Sequence, residues 1–341
     1  MSTLTVPPQA IPAVRSSAED RLNYLNIGLI LLSALLAMAA PFEVFLAAYA
    51  VLGPLHYLTE ISWLQRRNFY AKSKYDWIWL SVPAVVIAAF ALLGVKPEPM
   101  ELKSALTAFG LGAALVFALV AEPGKRIACL LVVAAVAVAA SQIGVLLVLF
   151  ATFIPSLVHV YVFTGLFMLY GSLKSRSLSG YLSVVAFIGC PLLFLVINPA
   201  AHQPSQYVLE SYWKNFASLN IAALGIGLPG SQDEMDRSIV VVFGSRMGLM
   251  FMRFVAFAYL YHYLNWFSKT SIIQWHQVSK PRLNLILGAW VAAVGLYAWD
   301  YRLGVQVLAL LSLMHVFLEF PLNHISWLGI WRELPKAIRG H

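Results

Sequence analysis

Two segments of this chain place a histidine and a glutamate one helical turn apart: His56-Tyr57-Leu58-Thr59-Glu60 and His315-Val316-Phe317-Leu318-Glu319. Residues four apart share a helix face, so each pair can present a ring nitrogen and a carboxylate to one point. Both pairs sit in strongly apolar surroundings. An ionisable side chain at bilayer depth costs roughly 2.5–3.5 kcal/mol on insertion scales, so residues kept there are read as functional. Imidazole with carboxylate is the donor set of an iron, zinc or copper site. The two cysteines, Cys129 and Cys190, lie in apolar runs and read as small buried hydrophobes rather than thiolate ligands.

The elements that must position these groups are membrane helices. Of 341 residues, 60% are hydrophobic and 11% charged, a balance no water-soluble domain of this size would tolerate. Apolar stretches of spanning length recur throughout, which predicts an all-α, polytopic helical bundle. Ten spans are expected at about 24–40, 42–64, 77–95, 104–121, 126–141, 144–172, 180–198, 238–267, 284–299 and 303–328. The hardest division is 126–172, where only Ser141-Gln142 offers a turn. Residues 22–341 read as one membrane domain with an external loop at 199–237, preceded by a polar, flexible cytoplasmic tail over 1–21. With the N-terminus inside, sixteen of the 23 basic residues fall in cytoplasmic segments, so both termini are expected in the cytoplasm. The net charge of +8 is spread over short loops, which argues against nucleic acid as a partner.

This topology sets the depth of each histidine. His56, His159, His262 and His315 come to a similar level on four different helices, with Glu60 and Glu319 one turn further in. His324 lies near the inner surface beside Trp327, and His276 falls in an inner loop beside Trp275; both remain metal-ligand candidates, although interfacial histidine also suits an aromatic belt. A lone histidine in a membrane helix ordinarily bonds across helices. Four at one depth, two with a following glutamate, point to a shared site. Arg246 and Arg253, seven apart on the eighth span, read as pairing or snorkelling cations.

Gly53-Pro54-Leu55-His56-Tyr57-Leu58-Thr59-Glu60 is similar to the Gly-x-Pro-His-Gly-Ala-x-Asp element of the Brp/Blh bacterial carotene dioxygenases. Leu313-Met314-His315 resembles that family's late Leu-Pro-His segment, and Ala258-Tyr259-Leu260-Tyr261-His262 its Tyr-Phe-x-x-Trp-His segment, which leaves His159 the remaining ligand role. The resemblance implies a bacterial inner-membrane enzyme that uses histidine-bound iron, one ion or two, to oxygenate a hydrophobic small molecule such as a carotenoid or lipid. Glu60 and Glu319 would then ligate the metal or orient a histidine, with a redox partner where the reaction needs electrons. The membrane desaturase and alkane hydroxylase boxes are absent. A haem b protein with two axial histidines and a proton or solute relay through the same His and Glu residues stay open as alternatives, as does the oligomeric state.

Overall fold

Long apolar helices account for nearly all of the chain. The computed structural model describes residues 17–67, 75–95, 99–197, 199, 202–227 and 230–339. In chain order these form α1 Ser17–Ala39, α2 Pro41–Arg66, α3 Asp76–Leu93, α4 Met100–Leu119, α5 Pro123–Ser141, α6 Gly144–Ser175, α7 Leu178–Val196, α8 Gln206–Ala223, α9 Gln232–Gly244, α10 Arg246–Ser268, α11 Lys280–Trp299 and α12 Tyr301–Ile338. A single helical turn, Thr270–Ile273, follows α10. Nine of these helices are long and apolar enough to cross a membrane. The α9–α10 pair passes the same test as one unit bent by 62°, so the described residues hold nine or ten candidate crossings according to whether that pair is a broken span or a re-entrant loop.

The expected spans are found with three adjustments. Ser141-Gln142 does end a helix, and α6 restarts at Gly144. The eighth span is broken at Ser245, whose hydroxyl accepts the Gly248 N–H and starts α10 afresh. The stretch 199–237 contains α8, whose buried Tyr212, Leu219 and Ile221 pack it onto the bundle. Helix α1 begins at Ser17, inside the segment read as tail, while residues 1–16 lie outside those described.

Prolines shape the two helices that carry the first two histidines of the expected site. Proline lacks an N–H and disturbs the bond to the carbonyl four residues earlier. Helix α2 widens into a π-helical turn at Ala48–Leu52, just ahead of Gly53-Pro54. Helix α6 is π-helical from Leu149 to Phe163, with Pro155 inside that stretch. Such wide turns are frequent at functional sites because they re-aim the side chains that follow.

Small residues let the helices close up, as lipid-exposed bundles require. A Cβ at Gly110 of α4 would overlap the Phe317 ring of α12. The buried residues form two apolar groups. One gathers α1, the first part of α2, α7, α8 and α10; the other gathers α3, α4 and the middle of α12; α6 serves both, with Leu157, Val160 and Met168 in the first and Ile154 and Phe163 in the second. At the end that the basic residues assign to the cytoplasm, Arg126 holds Asp76 through two bonds of 3.1 and 2.7 Å, tying α5 to α3. At the other end Arg253, fully buried, donates to the carbonyls of Met38 (3.2 Å) and Pro199 (2.6 Å). That satisfies a backbone acceptor in the last turn of α1 and another just past α7, so Arg253 is a structural cation. Arg246 bonds the Leu195 carbonyl at 3.2 Å.

Candidate metal centre

Helices α2, α6, α10 and α12 start at the same end of the bundle and run in one direction. His56, His159, His262 and His315 each lie 14 to 16 residues beyond the first residue of their helix. At 1.5 Å per residue that is about 21–24 Å, so helical rise alone brings four imidazoles to one level. Packing then brings them together at the seam between the two apolar groups. One nitrogen from each ring lies within 4.8 Å of all the others, and all four residues are buried.

The pairwise geometry is close. His56 Nε2 and His262 Nε2 stand 3.0 Å apart, and His159 Nε2 and His315 Nε2 stand 3.1 Å apart. The ring centroids of His159 and His262, and of His56 and His315, are 4.9 and 5.3 Å apart. Nitrogens bound to one metal at 2.0–2.1 Å stand about 3.0 Å apart at right angles and about 3.4 Å apart at the tetrahedral angle. The two close pairs therefore have the spacing of ligands on one metal, and the four nitrogens together lie near enough to hold one.

The two glutamates take different stations. Glu60 Oε2 lies 3.0 Å from His56 Nε2, on the side where the four rings converge. Glu319 does not pair with His315 on its own helix, as the four-residue spacing suggests; it crosses to α6 and sets Oε2 3.1 Å from His159 Nδ1. A carboxylate behind Nδ1 fixes the ring and leaves Nε2 facing the centre. The Thr164 hydroxyl does the same for His262, bonding Nδ1 at 2.8 Å.

Charge and hydrogen bonding both leave the centre incomplete. Among the described residues no lysine or arginine pairs with Glu60 or Glu319. Glu60 Oε2, Glu319 Oε2 and the Nδ1 atoms of His56, His159 and His315 lack a well-formed hydrogen bond. Buried carboxylates without compensating charge are strongly unfavourable. One divalent cation amid four neutral imidazoles would bring two carboxylates to zero net charge. A haem does not fit here, since its axial imidazoles sit on opposite faces of a macrocycle. With His159 and His315 at 3.1 Å and two more rings beside them, no plane is free for one.

Two sequence candidates stand apart. His324 is nine residues beyond His315, about 13 Å along α12, and its Nε2 bonds the Leu111 carbonyl at 2.8 Å. His276 lies in the loop after α10, edge-on to Trp275 at 5.8 Å. Neither belongs to the cluster, and the physical reason is depth. His202, at the opposite end, pairs with Glu43 at 3.1 Å.

Residues not singled out from sequence complete the surroundings. Thr164 follows His159 by five residues with no motif to mark it. Trp266, one turn beyond His262, stands 5.4 Å from the His56 ring and donates Nε1–H to Thr59 Oγ1 at 3.0 Å. Tyr263 packs 5.3 Å from His56, and a Cβ at Gly53 would crowd its hydroxyl at 3.2 Å. No known protein family, no curated protein and no solved structure matches the chain. The chain is a polytopic helical membrane protein with a buried four-histidine cluster.

Proposed function

We propose that the four histidines and two glutamates hold a metal ion, iron ahead of zinc or copper, and that with redox-active iron bound the protein is a membrane oxidoreductase acting on a lipophilic substrate with dioxygen. The observation that carries this reading is the convergence of imidazole nitrogens from four helices within 4.8 Å, beside two buried carboxylates with no lysine or arginine partner. Imidazole with carboxylate favours iron in oxygen chemistry, and the resemblance to the Brp/Blh carotene dioxygenases points the same way. Bound there, the metal would supply dioxygen binding and electron transfer, while Glu319 and Thr164 hold His159 and His262 in place. A dioxygenase needs no external reductant; a hydroxylase would draw electrons from a redox partner.

The separations of 3.0 and 3.1 Å between paired Nε2 atoms are also hydrogen-bond lengths, and that observation favours a second reading, a proton relay through histidine pairs. Elemental analysis and an absorption spectrum of the purified protein separate the two. One or two irons per chain without a Soret band supports the oxidoreductase. Absence of metal, in protein expressed with each candidate metal supplied, rejects it and leaves the relay.

A further inference from the structure

His159, His262 and His315 line the inner end of a cavity of about 380 Å³, within the usual range for small-molecule sites. It starts at the end of the bundle where α4 and α12 begin. No lining residue lies beyond Val316 on α12, Tyr263 on α10 or Val160 on α6, so it stops at the cluster. From Arg302 at the mouth to His315 at the base is thirteen residues of α12, about 20 Å. A bilayer's hydrocarbon core is about 30 Å across two leaflets, so this depth suits one extended acyl chain and its head group.

The mouth is basic. Lys103 of α4, Lys214 of α8 and Arg302 of α12 line it, and among the described residues no carboxylate does. Lys214 is held by Glu210 at 2.9 Å, and that carboxylate stands outside the lining. Below the mouth the apolar side chains of Phe90, Phe216, Leu219, Val305 and Leu313 alternate with the smaller polar groups of Thr107, Ser156, Gln306 and Ser312. Basic side chains outnumber carboxylates at this opening even with Lys214 paired to Glu210, which favours an anionic ligand over a metal ion.

We infer that the cavity takes a single-chain amphiphile with an anionic head, carboxylate or phosphate, held at Lys103, Lys214 and Arg302 with the far end of its chain at the histidines. The inference rests on the oxidoreductase reading for what that far end meets, and it narrows the substrate from any lipophile to one with an acid group and a reacting carbon distant from it.

The test is binding of tritiated palmitic acid to the purified full-length protein, with hexadecyl phosphate and hexadecanol as competitors. At least one anion should compete about tenfold better than hexadecanol, and the tighter of the two identifies the head group. Replacing both Arg302→Gln and Lys214→Gln should weaken anion binding by about 3- to 10-fold, as two partly exposed charge pairs would, and leave hexadecanol unchanged. A palmitate analogue with a photoreactive group at its terminal carbon should label α6, α10 or α12 close to the histidines. Equal competition by hexadecanol, no saturable palmitate binding, an unaffected double variant or labelling confined to other helices each overturns the inference. Metal content measured in the same preparation keeps the two proposals apart. Metal without anion preference removes this inference alone, and anion preference without metal removes the oxidoreductase reading alone.

Discussion

Replacing Glu60 and Glu319 by glutamine, one at a time, separates a charge at the metal from a charge behind a ligand. Glutamine preserves shape and most hydrogen bonding, so packing around α2 and α12 stays as it is. Glu319 Oε2 lies 3.1 Å from His159 Nδ1, on the side of the ring turned away from the other histidines. Loss of such an orienting group ordinarily weakens metal binding by about 10–100-fold, equivalent to about 1.4–2.7 kcal/mol. Glu60 Oε2 lies 3.0 Å from His56 Nε2, on the converging side. There its charge acts on the metal directly, and Glu60→Gln should weaken binding by more than 100-fold. Metal retained per chain after dialysis against graded chelator gives both numbers from one experiment. The expected result is a Glu319→Gln midpoint shifted by one to two decades and a Glu60→Gln protein that loses its metal at the lowest chelator concentration. Equal shifts in both variants, or a larger one in Glu319→Gln, would refute the division of roles drawn from these two distances.

Three further outcomes are expected. Thr164→Val removes the hydroxyl bonded to His262 Nδ1 and should lower metal affinity by about tenfold; Thr164→Ser should restore it, and the same chelator titration reads both. Gly110→Leu places a side chain where the Phe317 ring packs and should destabilise the bundle by about 1–3 kcal/mol, seen as a lower unfolding temperature in detergent together with reduced metal content, because His315 is two residues from Phe317. Lys269, just past α10, is pulled down from the ordinary 10.5 to about 8 by burial. Between about pH 8 and 10.5 the unfolded chain then binds more protons than the folded one, so stability relative to Lys269→Met should rise with pH across that window, and a flat or falling difference in melting temperature contradicts it.

The class of fold and the level of the site were legible because both depend on one-dimensional quantities. Apolar run length gives the crossings, and basic residues at their ends give the alternation. Even-numbered crossings share a direction, so the topology puts the four histidines in one depth band; the equal count from each helix start appears only once the break at Ser245 starts α10 at Arg246. Convergence in the membrane plane was not legible, since it depends on which helices touch, and contacts such as Gly110 against Phe317 carry no local signal. The partner of Glu319 was misleading for a related reason: spacing along α12 proposes His315, whereas the neighbouring α6 supplies His159. Helix α8 was hidden because its buried face is short and mixed with polar residues. His276 and His324 share residue type with the cluster but not its level.

The seam on which the cluster sits has a consequence for biosynthesis. His56 and His262 lie with the first apolar group, His315 with the second, and His159 on α6, which serves both, so a shared ion would clasp the groups together. The donors also leave the ribosome in sequence, and His315 with Glu319 leaves last. At about 5–20 residues per second, the interval between position 56 and position 315 is about 13–50 s. Through that interval a nascent chain offers at most three of the four imidazoles and lacks the carboxylate that aims His159. Full coordination would come only with insertion of α12, so bound metal would mark a finished chain, and a product truncated ahead of α12 would leave synthesis with its two apolar groups unclasped.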